Sequence, residues 1–296
     1  MPGTSATIGG MDTSALDRLD TRFPYRRAVI TGGASGLGYA AAELLARRGW
    51  KLALLDRDGA RLADSARSLA ALGAADVSTH ELDTGDEVAV QAAVDQFASH
   101  HGGLDLALNA AGVAVAGRFL ETPPADWEWI LRINLLGVAN SCRAELPHML
   151  DSGGGLIINV ASAAGFVSGA DMSAYNASKA AVISLSETLA QEHGRDNVQV
   201  VAAIPGFFRT RLLEGARATA SAMGTAKKIM HMSNLEAEPV ALEILARAAA
   251  GKTYVVLPGE YRKLWLFKRL APVRFQRFMV RFREKKEAQA KARKDA

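Results

Sequence analysis

From Arg26 onward the chain alternates between two kinds of stretch, and this limits its fold more than any other feature. One kind is short and rich in leucine or β-branched residues: AVITGG, KLALLD, DVSTHELD, LDLALNAAG, GLIINVAS, VQVVAAIPG and TYVVLPG. The other is alanine-rich and amphipathic, near residues 37–48, 58–72, 86–101, 124–149, 173–194 and 238–250. Strands apolar on both faces belong in a covered sheet, and parallel strands need long helical crossovers. The alternation therefore predicts an α/β fold, a doubly wound parallel sheet of seven strands with helices on both faces. At 296 residues the chain has room for one such domain over 25–259, and no internal repeat or second core is visible.

Two flanks stand outside the pattern. Residues 1–24 are polar and aperiodic and read as a flexible leader, in which Met11 offers a second start. Residues 260–296 carry thirteen Lys or Arg against four Asp or Glu, a net +9, so the overall +4 leaves −5 on the body. The basic balance thus describes the tail alone. The single cysteine, Cys142, excludes an internal disulfide framework and suits a reducing compartment. The longest uncharged stretch, 152–170, is too rich in Gly, Ser and Ala for a membrane span, and no charged-then-apolar amino terminus marks a signal peptide. The expected location is the cytoplasm.

The first strand ends in TGGASGLG, Thr31 to Gly38, and runs into the helical YAAAELLARRG. Glycines at 32, 36 and 38 let backbone approach a pyrophosphate, and the following helix offers free N–H groups and a positive dipole end. In this Rossmann-like setting Asp56, closing the second strand, is suited to accept both adenosine ribose hydroxyls and to repel a 2′-phosphate. Ser35 adds no cation for that phosphate. Arg57 is the counter-signal, because a guanidinium binds phosphate. The expected cofactor is NAD, with NADP open.

SAYNASKAA, 173–181, sets Tyr175 four residues before Lys179, one helical turn apart. An ammonium beside a phenol lowers its pKa, which suits proton transfer; a solvated surface pair would look the same in sequence. Ser162 closes the fifth strand thirteen residues earlier, Asn134 lies in INLLG of the long preceding helix, and NAAG at 109–112 ends the fourth strand. In a doubly wound sheet these strand ends converge on one crevice. The six histidines show no ligand spacing, so no metal site is expected.

On these motifs the chain resembles the short-chain dehydrogenase/reductase family over roughly 26–259. The resemblance implies an alcohol dehydrogenase or ketone reductase with Asn134, Ser162, Tyr175 and Lys179 as catalytic tetrad. Tyr175 would be the general acid/base, Ser162 the hydrogen-bond partner of the substrate oxygen, and Asn134 the holder of a relay water. Asp83 would face the adenine, Asn109 would steady the sheet near the cofactor, and Ile204 and Thr210 would flank the nicotinamide carboxamide. The full expected cofactor set is Gly32, Ser35, Gly36, Leu37, Gly38, Asp56, Arg57, Asp83, Thr84, Asn109, Ala110, Gly112, Tyr175, Lys179, Pro205, Gly206, Phe208 and Thr210. Competing readings are an NADPH-dependent 3-ketoacyl reductase and a dinucleotide-sensing protein without turnover. A homodimer or homotetramer, pairing helices 124–149 and 173–194, is implied as well.

Between Phe207 and Glu238, Phe207, Phe208, Leu212, Met223, Met230 and Met232 suit either a mobile apolar lid or ordinary packing. The lid reading makes the substrate a hydrophobic, lipid-like secondary alcohol or ketone, in a pocket of Phe166, Phe207, Leu212 and Met223. In the tail, Pro272 opens a helix on which Phe275, Phe278, Met279 and Phe282 recur beside Arg274, Arg277, Arg281 and Lys285. That stripe suits either peripheral membrane contact through 260–296 or docking on protein, with the last dozen residues frayed. No nucleic-acid module is present, so no nucleic-acid partner is expected.

Overall fold

The computed structural model describes residues 7–8, 11–12, 14–233 and 235–292. Seven strands, β1 (Arg27–Thr31), β2 (Lys51–Asp56), β3 (Asp76–Glu81), β4 (Leu106–Asn109), β5 (Gly155–Val160), β6 (Val198–Pro205) and β7 (Tyr254–Leu257), form one parallel sheet in the order β7-β6-β5-β4-β1-β2-β3. The chain winds outward from β1 to β3, then restarts at β4 on the other side of β1. All strand carboxyl ends point one way, and the crevice opens where the winding reverses, between β1 and β4. The register aligns Thr31 with Leu55 and with Asn109, and Asn109 with Asn159. A buried ion pair pins the opposite end: Arg27 Nη2 lies 2.8 Å from Asp105 Oδ1, and the Arg27 N–H donates to the same carboxylate at 2.9 Å.

Alternate residues of each strand feed two cores. Ile30, Leu52, Leu54, Leu108 and Ile158 pack under α1 (Asp17–Arg22), α2 (Gly36–Ala46), α3 (Gly59–Ala71) and α10 (Ala237–Ala249). Val29, Ala53, Leu55, Ala107 and Ile157 pack under α4 (Glu87–His101), α6 (Gly137–Asp151), α7 (Ala164–Val167), α8 (Ser173–Glu192) and α11 (Gly259–Leu270). Asp58 and Asp86 start α3 and α4 by accepting the N–H of Arg61 and Ala89, each at 3.1 Å. The expected long helix is α5 (Pro124–Leu131), a π turn at Arg132–Leu136, and α6 in unbroken succession.

The flexible-leader expectation is corrected from Ser14 onward. A 3₁₀ turn and α1 bury Leu16, Leu19 and Phe23 in the first core, and Asp20 accepts from the Trp50 indole at 2.9 Å. Those three side chains sit at helical spacing, a period hidden by the polar residues between them. The remaining leader positions, 1–6, 9–10 and 13, lie outside the described residues, as does the Met11 side chain.

The presumed lid is stapled at its base. A two-residue strand at Arg217–Ala218 pairs with Val115–Ala116, and α9 (Ala220–Met232) follows. Phe208 belongs to the first core rather than to a lid, and the Met232 side chain lies outside the described residues. In the tail, α11 is part of the body: Tyr261, Leu264 and Trp265 pack on the second core, and Lys268 donates to the Phe166 carbonyl at 2.5 Å. The last described helix, α12 (Pro272–Ala292), continues through most of the stretch expected to fray, in keeping with its alanine- and lysine-rich sequence. Residues 293–296 lie outside the described part. Among the described residues no helix is long and apolar enough to cross a membrane.

Candidate active site

Backbone at the end of β1 closes in tightly before α2 begins. Gly36 has φ +57, a region that disfavours a side chain, and a β-carbon on Gly38 would stand 2.3 Å from the Gly32 carbonyl oxygen. This packing brings the amino terminus of α2 against a cleft at the carboxyl edge of the sheet. Asp56 lies at its wall, its Oδ2 accepting the Ala34 N–H at 3.1 Å and its Oδ1 the Asp58 N–H at 3.2 Å.

Gly32, Ser35, Gly36, Asp56, Arg57, Asp83, Thr84, Ala110, Gly112 and Thr210, ten of the expected cofactor residues, line this cleft together with Leu212. They could hold a dinucleotide along the glycine turn. Asp83 also pairs with Arg132 at 2.5 Å and accepts the Gly85 N–H at 2.8 Å. Burial alone would raise its pKa, but those partners outweigh it and hold the carboxyl below its ordinary value.

Several expected residues stand elsewhere. Leu37 and Gly38 are buried behind the glycine turn. The Asn109 side chain turns away from the cleft, donating to Glu145 and Asn159 at 3.0 Å in a buried polar cluster. That side chain thus ties β4 to β5 and α6 rather than lining the cleft. Gly206 faces Tyr261, whose ring would lie 2.6 Å from a β-carbon there, and Pro205 is buried at the end of β6. Phe166 is a core residue at 6% exposure, not a pocket wall, because α11 covers it. Phe207 is exposed, and Met223 does not line the cleft, so Leu212 alone of the expected substrate residues does.

The four residues singled out as a tetrad do meet beside the cleft. Tyr175 and Lys179 rise from the first two turns of α8, both buried, and Ser162 hydrogen-bonds to Tyr175. The Lys179 ammonium donates to the Val160 carbonyl at 2.9 Å and lies 6.0 Å from the centre of the Tyr175 ring. Asn134 sits in the π turn, clamping Val113 at both ends: Oδ1 accepts its N–H at 2.8 Å and Nδ2 donates to its carbonyl at 3.0 Å. Asn134 Oδ1 and Lys179 Nζ both border Gly112, 3.2 and 3.5 Å from where a β-carbon would stand.

The electrostatics depart from the expectation. Burial pushes the Tyr175 phenol up to about 12, with the Ser162 hydrogen bond acting against it, and burial pushes Lys179 down to about 8. A lysine-lowered phenol is thus not what the pocket alone provides. Its ammonium is turned toward a carbonyl, and desolvation of both groups dominates. The site can keep a proton on Tyr175 and give it to a neighbouring oxygen.

Ala34, Leu82, Ala111, Ile133, Arg61, Glu214 and Gly215 also line the cleft and were not anticipated. The first four adjoin motif residues, so adjacency was a usable signal. Arg61, Glu214 and Gly215 arrive by tertiary packing, with an Arg61–Glu214 ion pair at 3.3 Å, and nothing local marks them. Among the described residues, Asp76, His100 and His101 gather within 4.8 Å. They lie at the amino end of β3, across the sheet from the cleft.

Known proteins agree with this architecture. The chain is similar to D-threitol dehydrogenase of Mycolicibacterium smegmatis, 38% identical over 196 residues, covering 65% of this chain and 74% of that one. It is 36% identical over 185 residues to a Mycobacterium tuberculosis protein named "Probable oxidoreductase EphD", of whose length it spans only 31%. A short-chain dehydrogenase/reductase from Burkholderia phymatum, solved in complex with NAD, superposes with a TM-score of 0.76 at 32% identity, over 83% of this chain and 94% of that one. The family model for short chain dehydrogenases matches residues 26–221, and the chain belongs to that family of oxidoreductases.

Proposed function

We propose that the protein is an NAD-dependent oxidoreductase interconverting a secondary alcohol and its ketone, with Tyr175 as general acid/base. The observation that carries this reading is the meeting of Ser162, Tyr175 and Lys179 beside a cleft lined by the glycine turn and Asp56. When bound, the nicotinamide would supply the hydride acceptor or donor. The residues do the rest. Tyr175 holds the proton that a carbonyl oxygen takes up on reduction. Ser162, within hydrogen-bonding reach of that phenol, steadies charge developing on the same oxygen. Lys179 supplies a second proton store behind the phenol, and Asn134 fixes the Val113 backbone, which lines the cleft.

Asp56 at the cleft wall favours NAD, since a carboxylate accepts ribose hydroxyls and repels a phosphate. A second reading, NADP, draws on Arg57, which lines the cleft beside it. An alcohol and ketone panel read by cofactor absorbance, with NAD and NADP in parallel, tests both. Asp56→Ala is expected to weaken NAD by ~10- to 100-fold, the loss of one or two charge-assisted hydrogen bonds, and to narrow the preference over NADP. No turnover of any alcohol or ketone with either cofactor would reject the reading. Leu136 and Leu150, 52% and 40% exposed on the π turn and α6, favour a homodimer or homotetramer through that helix. A cytoplasmic setting suits the lone buried Cys142 thiol.

A further inference from the structure

Among the described side chains of α12 only Phe275 is buried, edge-on to Phe267 of α11 with ring centres 5.5 Å apart. Phe278 and Phe282 stack on each other and remain 43% and 48% exposed. Arg274, Arg277, Arg281 and Lys285 form the neighbouring stripe, all exposed. Arg283 turns back to Asp171 at 3.4 Å. With Phe119 and residues 168–171 it lines a groove against Ser173 and Asn176, in the first turn of the helix that carries Tyr175. On that rim Phe119 and Leu120 are 66% and 94% exposed. Exposed aromatic and aliphatic side chains and a band of cations thus lie along α12 and the groove that Arg283 borders, a side of the molecule that adjoins the first turn of the helix carrying Tyr175.

We infer that this side docks on an anionic lipid bilayer, with α12 lying in the headgroup plane. Phenylalanines enter the acyl boundary while the flanking cations meet lipid phosphates, the arrangement an interfacial helix requires. The charge asymmetry, +6 over 272–296 against −2 over 1–271, orients the protein: an anionic surface draws one end and repels the other. A second copy fits less well. Twofold pairing through α12 would set the arginine stripe against itself, and like charges across an interface oppose association. The inference rests on the proposed oxidoreductase only in that the docking groove borders the helix carrying Tyr175.

Sedimentation of the full chain with vesicles of phosphatidylcholine, alone or with about 30% phosphatidylserine, tests it. Binding is expected to the anionic vesicles, to weaken with salt, and to be negligible on the neutral ones. Arg274→Ala, Arg277→Ala and Arg281→Ala together should lower binding about 100-fold, at roughly fivefold per cation. Phe278→Ser with Phe282→Ser should lower it by about tenfold or more, and Leu120→Glu should weaken it as well. Equal binding to neutral and anionic vesicles, or variants that bind like the parent, would overturn the inference. So would self-association of the parent that the phenylalanine variant abolishes, with no vesicle binding. Turnover across the same alcohol and ketone panel, measured on the same proteins, separates the two readings: activity without vesicle binding sinks the docking alone, and vesicle binding without turnover of any member sinks the oxidoreductase alone.

Discussion

Glu145 is a carboxyl with no access to water, and its substitution by glutamine should change how stability depends on pH. The side chain is 0% exposed, accepts one hydrogen bond from Asn109 at 3.0 Å, and leaves its second oxygen without a partner, as is Oδ1 of Asn109. Burial raises its pKa from the ordinary 4.5 to about 8, against which the Asn109 bond acts weakly. The folded state therefore holds a proton that the unfolded chain releases above 4.5. That stability is fully present below pH 4.5 and is lost as pH rises through about 8. At ~1.4 kcal/mol for each pH unit the ceiling is ~5 kcal/mol, and relaxation of the pocket lowers the expected loss to ~2–4 kcal/mol. Glu145→Gln mimics the protonated acid and does not titrate. Urea unfolding of both proteins from pH 5 to 8.5 isolates the effect, because every other titrating group cancels in the difference. The two should be similar at pH 5, with the variant more stable by ~2–4 kcal/mol at pH 8.5. A difference that stays constant across the range would refute the argument.

Two further substitutions test the scaffold of the site. Gly38→Ala puts a β-carbon 2.3 Å from a backbone oxygen that cannot rotate away, so NAD affinity measured by calorimetry should fall more than ~10-fold. Leu19→Ala empties a fully buried position and should cost ~2–5 kcal/mol in urea unfolding, whereas an unchanged midpoint would return 14–24 to the status of a loose leader.

Much of this fold is written locally. The seven strand runs, the glycine turn and the Tyr175–Lys179 spacing each depend on a few neighbouring residues, and the sheet then brings them together without further instruction. What escaped reading depends on distant partners. Leu16 and Leu19 become core only because α10 passes over them, and Asn109 leaves the cofactor because Glu145 and Asn159 lie beneath it. Phe166 leaves the substrate pocket because α11, from the basic tail, covers it. The sign of the Tyr175 shift was missed for a related reason: sequence spacing gives the closeness of a lysine, whereas the direction its ammonium faces and the depth of burial are tertiary.

The central claim is that the Tyr175 hydroxyl carries the proton in the reaction, and Tyr175→Phe removes that hydroxyl while keeping the ring. With an alcohol or ketone turned over by the parent, the account predicts a fall in kcat of at least ~100-fold, with NAD binding by calorimetry changed less than about fivefold. Turnover within about threefold of the parent would contradict it.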